Sequence, residues 1–412
     1  MNIKIRLTVL NFLQFFVWGA WLISAGGYWF SKGFTGVQIG SIYSTLGLAS
    51  LFMPSIMGII ADKYINAERL LGICHIVGGI VLYWSSTVLN ADNLFWIMLL
   101  NSMFYMPTIA LNNSVCYNVL EQKGYDIQKV FAPIRVWGTV GFIVAMLIVD
   151  STGWKGSEMQ FVFSTVASIV LGVYCFSIPP CVPQNKMAGN SLVSKLGLEA
   201  FTLLKEKKML TFFLFALLLG AALQITNTFG GQFLDSFIGS HPTSFVVVHN
   251  IAFLSISQIS ESLFILAIPF FLYRYGIKKV MLISMFAWVL RFALFGIGNP
   301  GNGFIFLLSS MIVYGMAFDF FNISGSLYVE KETRPEIRSS AQGLFMFMTN
   351  GVGAVIGSYG SGLVVDYFTT NKVRDWQSIW FVFAAYALVV AVLFALFFKY
   401  KHTPNAELKV TH

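Results

Sequence analysis

The chain has 412 residues, of which 57% are hydrophobic and only 11% are Asp, Glu, Lys or Arg. Ordinary soluble domains are roughly 25% charged, and a soluble fold of this size could not cover so much apolar surface with polar groups. The composition excludes a soluble enzyme, a secreted disulfide scaffold and a disordered chain, and it indicates a polytopic membrane protein. The net charge of +8 therefore belongs to the loops of a membrane protein, and we expect no nucleic-acid partner.

Twelve apolar stretches are long enough to cross a bilayer, which takes about 20 residues of helix. Eight stretches carry no charge, and they are 7–31, 33–61, 70–91, 93–120, 159–185, 209–234, 339–365 and 376–398. Four contain one charge each, and they are 131–149, 246–272, 280–298 and 303–329. The period-2 alternation of a β-barrel is absent. The sequence thus predicts an all-α integral membrane protein with twelve transmembrane helices.

The basic residues of the loops lie mostly on one side of the predicted membrane. If the N-terminus is inside, 20 of the 26 Lys and Arg fall in cytoplasmic segments, four fall outside and two fall within spans. Cytoplasmic loops of membrane proteins carry such an excess of Lys and Arg. We therefore expect both termini to face the cytoplasm.

The longest connection divides the spans into two groups of six. It predicts an N-terminal half over 1–180, a cytoplasmic linker over 181–208, a C-terminal half over 209–398 and a cytoplasmic tail over 399–412. Apolar and basic residues interleave in the second part of the linker, a pattern typical of a helix lying on the membrane surface. A disordered linker is the alternative.

Four ionisable side chains fall inside predicted spans, and they are Arg135, Glu261, Arg291 and Asp319. An ionisable group in mid-membrane costs ~2.5 kcal/mol or more on insertion scales, so each is a candidate functional residue. Arg291 differs from the other three because its neighbours at helical spacing are aromatic. That surrounding favours a structural ion pair or a cation–π contact for Arg291.

Polar and aromatic companions accompany these charges at helical spacing. They are Arg135, Thr139 and Phe142 in span 5; Gln224 and Asn227 in span 7; Gln258 and Glu261 in span 8; and Tyr314, Phe318 and Asn322, beside Asp319, in span 10. Carboxamides can form two hydrogen bonds with a planar donor–acceptor edge or with vicinal hydroxyls, and aromatic rings offer faces for stacking. A neutral, hydroxylated, partly planar solute such as a nucleoside fits this set best, and a sugar fits it less well. The alternative is that these side chains only hold helices together.

Motifs for enzymatic chemistry are absent from the sequence, including HExxH, GxSxG and a phosphate-binding loop. The histidines and cysteines show no metal-ligand spacing. We expect no enzyme activity, no metal and no cofactor. A membrane-embedded enzyme and a passive channel stay open as less favoured alternatives.

Two groups of six spans around a cytoplasmic loop resemble the major facilitator superfamily. Several strings are similar to one branch of it, the bacterial nucleoside–proton symporters, and they are Pro133-Ile-Arg135-Val-Trp-Gly-Thr139-Val-Gly-Phe142, Leu223-Gln-Ile-Thr-Asn227, Ser257-Gln-Ile-Ser-Glu261 and Tyr314-Gly-Met-Ala-Phe318-Asp319-Phe-Phe-Asn322. Ala222 departs from the pattern, since some relatives carry an acid there.

The resemblance implies a monomer in the bacterial inner membrane that imports nucleosides by alternating access, with the proton as co-substrate. The binding residues it implies are Arg135, Thr139, Phe142, Gln224, Asn227, Gln258, Glu261, Tyr314 and Phe318. It implies proton coupling through Asp319 or Glu261, and we consider Arg135 a candidate ion-pair partner of Asp319. A proton-coupled sugar transporter of the same fold is the alternative.

Overall fold

The computed structural model describes residues 2–183, 198–334 and 337–400, and nearly all of these residues are helical. The α-helices are Ile3–Gly19 (α1), Ala25–Ser31 (α2), Gly36–Lys63 (α3), Ala67–Ser86 (α4), Ala91–Gln122 (α5), Ile127–Ser151 (α6), Met159–Cys175 (α7), Lys207–Asp235 (α8), Phe245–Val248 (α9), Asn250–Ile297 (α10), Phe304–Ala317 (α11), Asp319–Glu332 (α12), Arg338–Met346 (α13), Ala354–Tyr367 (α14) and Trp376–Phe397 (α15). Strands Thr369–Thr370 (β1) and Val373–Arg374 (β2) pair antiparallel in the loop before α15.

Within the described residues, eight helices are long and apolar enough to cross a membrane. The remaining predicted spans share a helix with another span or consist of shorter helices. Two predicted spans share α10, which reverses direction at Gly276, where φ is 74° and ψ is 167°. Glycine adopts this left-handed conformation without steric cost, so the chain turns there within a very short connection.

Three of the predicted spans are interrupted, whereas the sequence suggested continuous helices. The first span breaks between α1 and α2, the tenth breaks at Phe318 between α11 and α12, and the eleventh contains a π-helical turn at Phe347–Gly353. Irregular backbone at membrane depth is tolerated only where protein or water satisfies its polar groups. The breaks therefore mark places where the helices face the interior of the bundle.

The two predicted halves are joined by hydrogen bonds at one end of the bundle, which we call the outer end. It is formed by residues 31–37, 150–158, 235–251 and 366–375, which are the loops predicted to lie outside together with the adjoining helix ends. Here Asp150 accepts a hydrogen bond of 2.6 Å from the ring of His249. Lys155 donates to the carbonyl oxygen of Val248 at 2.5 Å and to the side-chain oxygen of Asn250 at 2.6 Å.

Helices α3 and α14 continue this contact between the halves toward the middle of the bundle. A Cβ atom on Gly40 would overlap the carbonyl oxygen of Ser358, so the two backbones touch. Among the described residues, every hydrogen bond between the halves lies at the outer end. The structure therefore shows the bundle closed at its outer end.

The surface helix predicted within the 181–208 linker lies largely outside the described residues, as does the tail beyond residue 400. The described part of that linker includes Leu198–Lys205, which forms a 3₁₀ helix.

Candidate functional site

Two carboxyl groups meet where the tenth span breaks. Asp319 is the first residue of α12 and is 7% exposed. Its carboxyl lies within hydrogen-bonding range of the carboxyl of Glu261, on α10. The Oδ2 atom of Asp319 is buried and has no hydrogen-bond donor among the described residues. Because an ionised carboxylate only accepts hydrogen bonds, a hydrogen bond between these two groups needs one proton.

Arg135 faces this carboxyl pair from the opposite half of the bundle. It lies on α6 and interacts electrostatically with both Glu261 and Asp319. Within the described part of the chain it forms no ion pair with either of them, so the direct pairing with Asp319 considered from the sequence is wrong for this conformation. Its guanidinium carbon instead lies 4.0 Å from the centre of the Phe15 ring, and this cation–π contact fixes the side chain against α1.

Phe142 lies two helical turns beyond Arg135 and also packs against α1. Its ring meets the ring of Trp18 nearly at right angles, with centres 6.3 Å apart. Thr139, between them on the same helix, is partly exposed. The predicted face of Arg135, Thr139 and Phe142 therefore lies along the first helix.

Tyr314 and Gln258 lie near each other within the second half and interact there. Tyr314 is 4% exposed, and Arg291 lies over its ring at 4.4 Å from the centre. The predicted cation–π contact of Arg291 is thereby present. Gln258 is only partly buried and stands one helical turn before Glu261, so Tyr314 lies beside the amide that neighbours the carboxyl pair.

Gln224 and Asn227, on α8, have polar groups that the described protein does not use. Both side chains are half-buried, yet neither takes part in the side-chain hydrogen bonds of α8 in the described chain. Those bonds involve Lys208, Thr211, Thr226, Gln232 and Asp235. Half-buried amides without partners are available to a solute. Phe318, in the helix break, is likewise only partly buried.

Other polar side chains of the first half hold helices together instead. Gln14 donates to the hydroxyl of Thr108 at 2.7 Å and contacts His75 at 2.8 Å. Asn112 donates to the side-chain oxygen of Asn11 at 2.9 Å. All five side chains belong to α1, α4 or α5, and Gln14 is fully buried. This network is the structural use of polar groups that the sequence left open as an alternative.

Phe15 and the outer-end contacts were not anticipated from the sequence. Phe15 is one of 41 phenylalanines, and nothing in the pattern distinguishes the ring beneath Arg135 from the others. Asp150 and Lys155 sit at a predicted loop, where charged residues are ordinary. Their contact with the second half depends on how the two halves pack, and the sequence pattern does not predict that packing.

The bundle has two halves and is closed at one end. Two neighbouring carboxyl groups lie at a broken helix, and an arginine faces them from the other half. These are features of a secondary transporter. Comparison with known proteins agrees. Residues 1–403 match the family described as nucleoside H+ symporter. The chain belongs to that family.

Individual relatives match along the whole chain. Xanthosine permease of Escherichia coli K12 is 53% identical over 100% of this chain and 99% of its own length. Nucleoside permease NupG of the same organism is 49% identical over 100% of both chains. The crystal structure of an aspartate-to-alanine mutant of the nucleoside transporter NupG superposes with a TM-score of 0.95, covering 97% of this chain and 100% of that one.

These findings confirm the family, the major facilitator fold and a transporter that performs nucleoside–proton symport and is not an enzyme. They leave the roles of individual residues as predictions.

Proposed function

We propose that this protein imports nucleosides across the bacterial inner membrane, as a monomer with both termini in the cytoplasm, and that the Glu261–Asp319 pair carries the coupled proton. The observation that supports this most strongly is the placement of the two carboxyl groups within hydrogen-bonding range of each other. One proton between them converts two negative charges into one.

Arg135 connects this proton to the movement of the halves. It belongs to the first half, while the carboxyl pair belongs to the second, and the three groups interact electrostatically. When the pair loses its proton, its attraction for Arg135 increases. When the pair gains a proton, the attraction weakens, and the halves are freer to reorient around the site in alternating access.

The nucleoside occupies the space between the halves. In this proposal Phe142 and Phe318 contact the two faces of the base. Gln224 and Asn227 use their unpaired amides, and Gln258 and Glu261 their partly buried polar groups, for the base edge or the ribose hydroxyls. Arg135, Thr139 and Tyr314 complete the wall of the site. Because the outer end is closed in the structure, this conformation corresponds to release toward the inner end.

Uptake of labelled uridine and adenosine tests the proposal, in cells that lack other nucleoside transporters. We expect uptake that a protonophore abolishes, competition by unlabelled nucleosides, and no competition by lactose or maltose. Uptake that persists with the protonophore would indicate a passive channel. Competition by the sugars but not by nucleosides would indicate a sugar carrier, and either result contradicts the proposal.

A further inference from the structure

Arg291 is buried within the second half, and no carboxylate of the described residues is bonded to it. The side chain is 2% exposed. Its Nη1 atom donates to the carbonyl oxygen of Ser310 at 2.8 Å and to the hydroxyl of Ser257 at 3.3 Å. The described residues provide no carboxylate at ion-pair distance from it. The cation is therefore held in place by polar and aromatic groups that carry no net charge.

These contacts explain the position of Arg291 but not the need for its charge. The guanidinium carbon lies 4.4 Å from the centre of the Tyr314 ring and 5.1 Å from that of Phe295. Its Nε atom is buried and finds no acceptor in the part of the chain that the structure describes, so even its hydrogen bonds are incomplete. A buried unpaired cation is destabilising, and an apolar side chain of the same length would fill this space at lower cost.

The charge of Arg291 acts on Glu261. Arg291 donates to Ser257, which stands one helical turn before Glu261 on α10. Arg291 and Glu261 therefore lie near each other in the same half, where they interact electrostatically. Arg291 therefore stays with the carboxyl pair when the halves move, whereas Arg135 belongs to the opposite half. The charged or titratable groups facing the pair are Arg135 from α6, Arg291 from α10 and Tyr314 from α11.

Building on the proposed function, we propose that Arg291 is a positioning residue that acts as the permanent counter-charge of the Glu261–Asp319 pair and limits it to one proton in each transport cycle. With one proton, the pair carries one negative charge, which Arg291 balances without Arg135. Without the proton, the pair carries a second negative charge, and Arg135 is needed to balance it. When the pair holds its proton, it is thus balanced within its own half. When the pair has lost the proton, it is held to the opposite half through Arg135.

Removal of this charge should change how the pair takes up protons. In the Arg291→Met variant, neutrality without Arg135 requires two protons on the pair, so protons are retained to higher pH. We expect the pH of half-maximal nucleoside uptake to rise by about 1 unit, the smaller end of what an opposite charge produces nearby. Arg291→Lys keeps the charge while losing the planar contacts, and its pH of half-maximal uptake should equal that of the native protein.

The measurement is the pH profile of nucleoside uptake in proteoliposomes, together with the thermal stability of each purified variant. Phe292→Leu serves as the packing control, because Phe292 is buried on the same helix and packs on Trp288 and Trp380. This control should lose stability without a shift of the profile. An unshifted profile for Arg291→Met, or an equal shift for Phe292→Leu, would overturn the inference.

Two further variants separate the other outcomes. If Arg291→Met does not fold, the double variant Arg291→Met/Glu261→Gln is compared with it. Recovery of folded protein supports charge balance, and failure to recover shows that the arginine serves packing alone. Asp319→Asn is assayed in parallel, because native accumulation by that variant would contradict the proposed function itself, whatever Arg291 does.

Discussion

The carboxylate of Asp366, at the end of α14, accepts a hydrogen bond of 2.6 Å from the backbone N–H of Gly36, in the opposite half. Its second oxygen accepts from Val37 at 2.8 Å. These are the first two residues of α3, whose free N–H groups and dipole favour a negative charge. The side chain thus caps a helix across the boundary between the halves and helps to close the outer end.

Replacement of Asp366 by Asn should loosen this closure. A hydrogen bond to a charged group contributes ~1.5–3 kcal/mol, so the open population should rise about tenfold or more. A cysteine in place of Ser358, which is buried where α14 crosses α3, reports the opening. In a background without the four native cysteines, an impermeant thiol reagent added outside should label this site correspondingly faster.

Asp375→Asn is the matched control for this experiment. Asp375 caps α15 through Ser378, at 3.1 Å to the backbone nitrogen, within its own half. Hydrogen bonds from the Ser378 hydroxyl and backbone hold the pKa of Asp375 below its usual range, so the control also removes an ionised cap. Equal labelling rates in the two variants would show that Asp366 has no special part in closing the outer end.

Phe15 should support nucleoside binding through Arg135. The Phe15→Leu variant keeps apolar contact but removes the ring beneath the guanidinium, a contact that contributes ~0.5–2 kcal/mol. We expect a rise of about 2- to 30-fold in the KM of uptake. Phe15→Tyr should behave like the native protein. Phe16→Leu removes a ring on the same helix that contacts Phe163 instead, and it should leave the KM unchanged; a similar rise there would contradict the role of Phe15.

Gln224 and Gln14 should respond in opposite ways to replacement by leucine. Gln224 has no hydrogen-bond partner among the described residues, so Gln224→Leu should weaken nucleoside binding by roughly tenfold and leave the melting temperature unchanged. Gln14 is fully buried and bonded to Thr108 and His75. Gln14→Leu should lower the melting temperature instead and leave the affinity of the remaining folded protein near native. Calorimetry of purified protein measures both the nucleoside affinity and the melting temperature. A loss of stability without a loss of affinity in Gln224→Leu would show that Gln224 is not part of the binding site.

The sequence predicted those parts of the molecule that depend on composition and periodicity. The apolar runs located the spans, and the cost of burying a charge made Glu261 and Asp319 candidate functional residues from the sequence alone. The helix break at Phe318 was not predicted, because neither Phe318 nor the residues on either side of it are Gly or Pro. The contact of Arg135 with Phe15 was not predicted either, since it depends on how α6 lies against α1, and helical spacing constrains only residues of the same helix.

Nucleoside-driven proton entry into proteoliposomes tests the role of the Glu261–Asp319 pair most directly. An internal pH indicator and labelled nucleoside are followed together, in the native protein and in Asp319→Asn. We predict that the native protein acidifies the lumen as nucleoside enters, and that Asp319→Asn exchanges nucleoside across the membrane without moving protons or accumulating substrate. Proton entry and accumulation at native levels in Asp319→Asn would contradict the account.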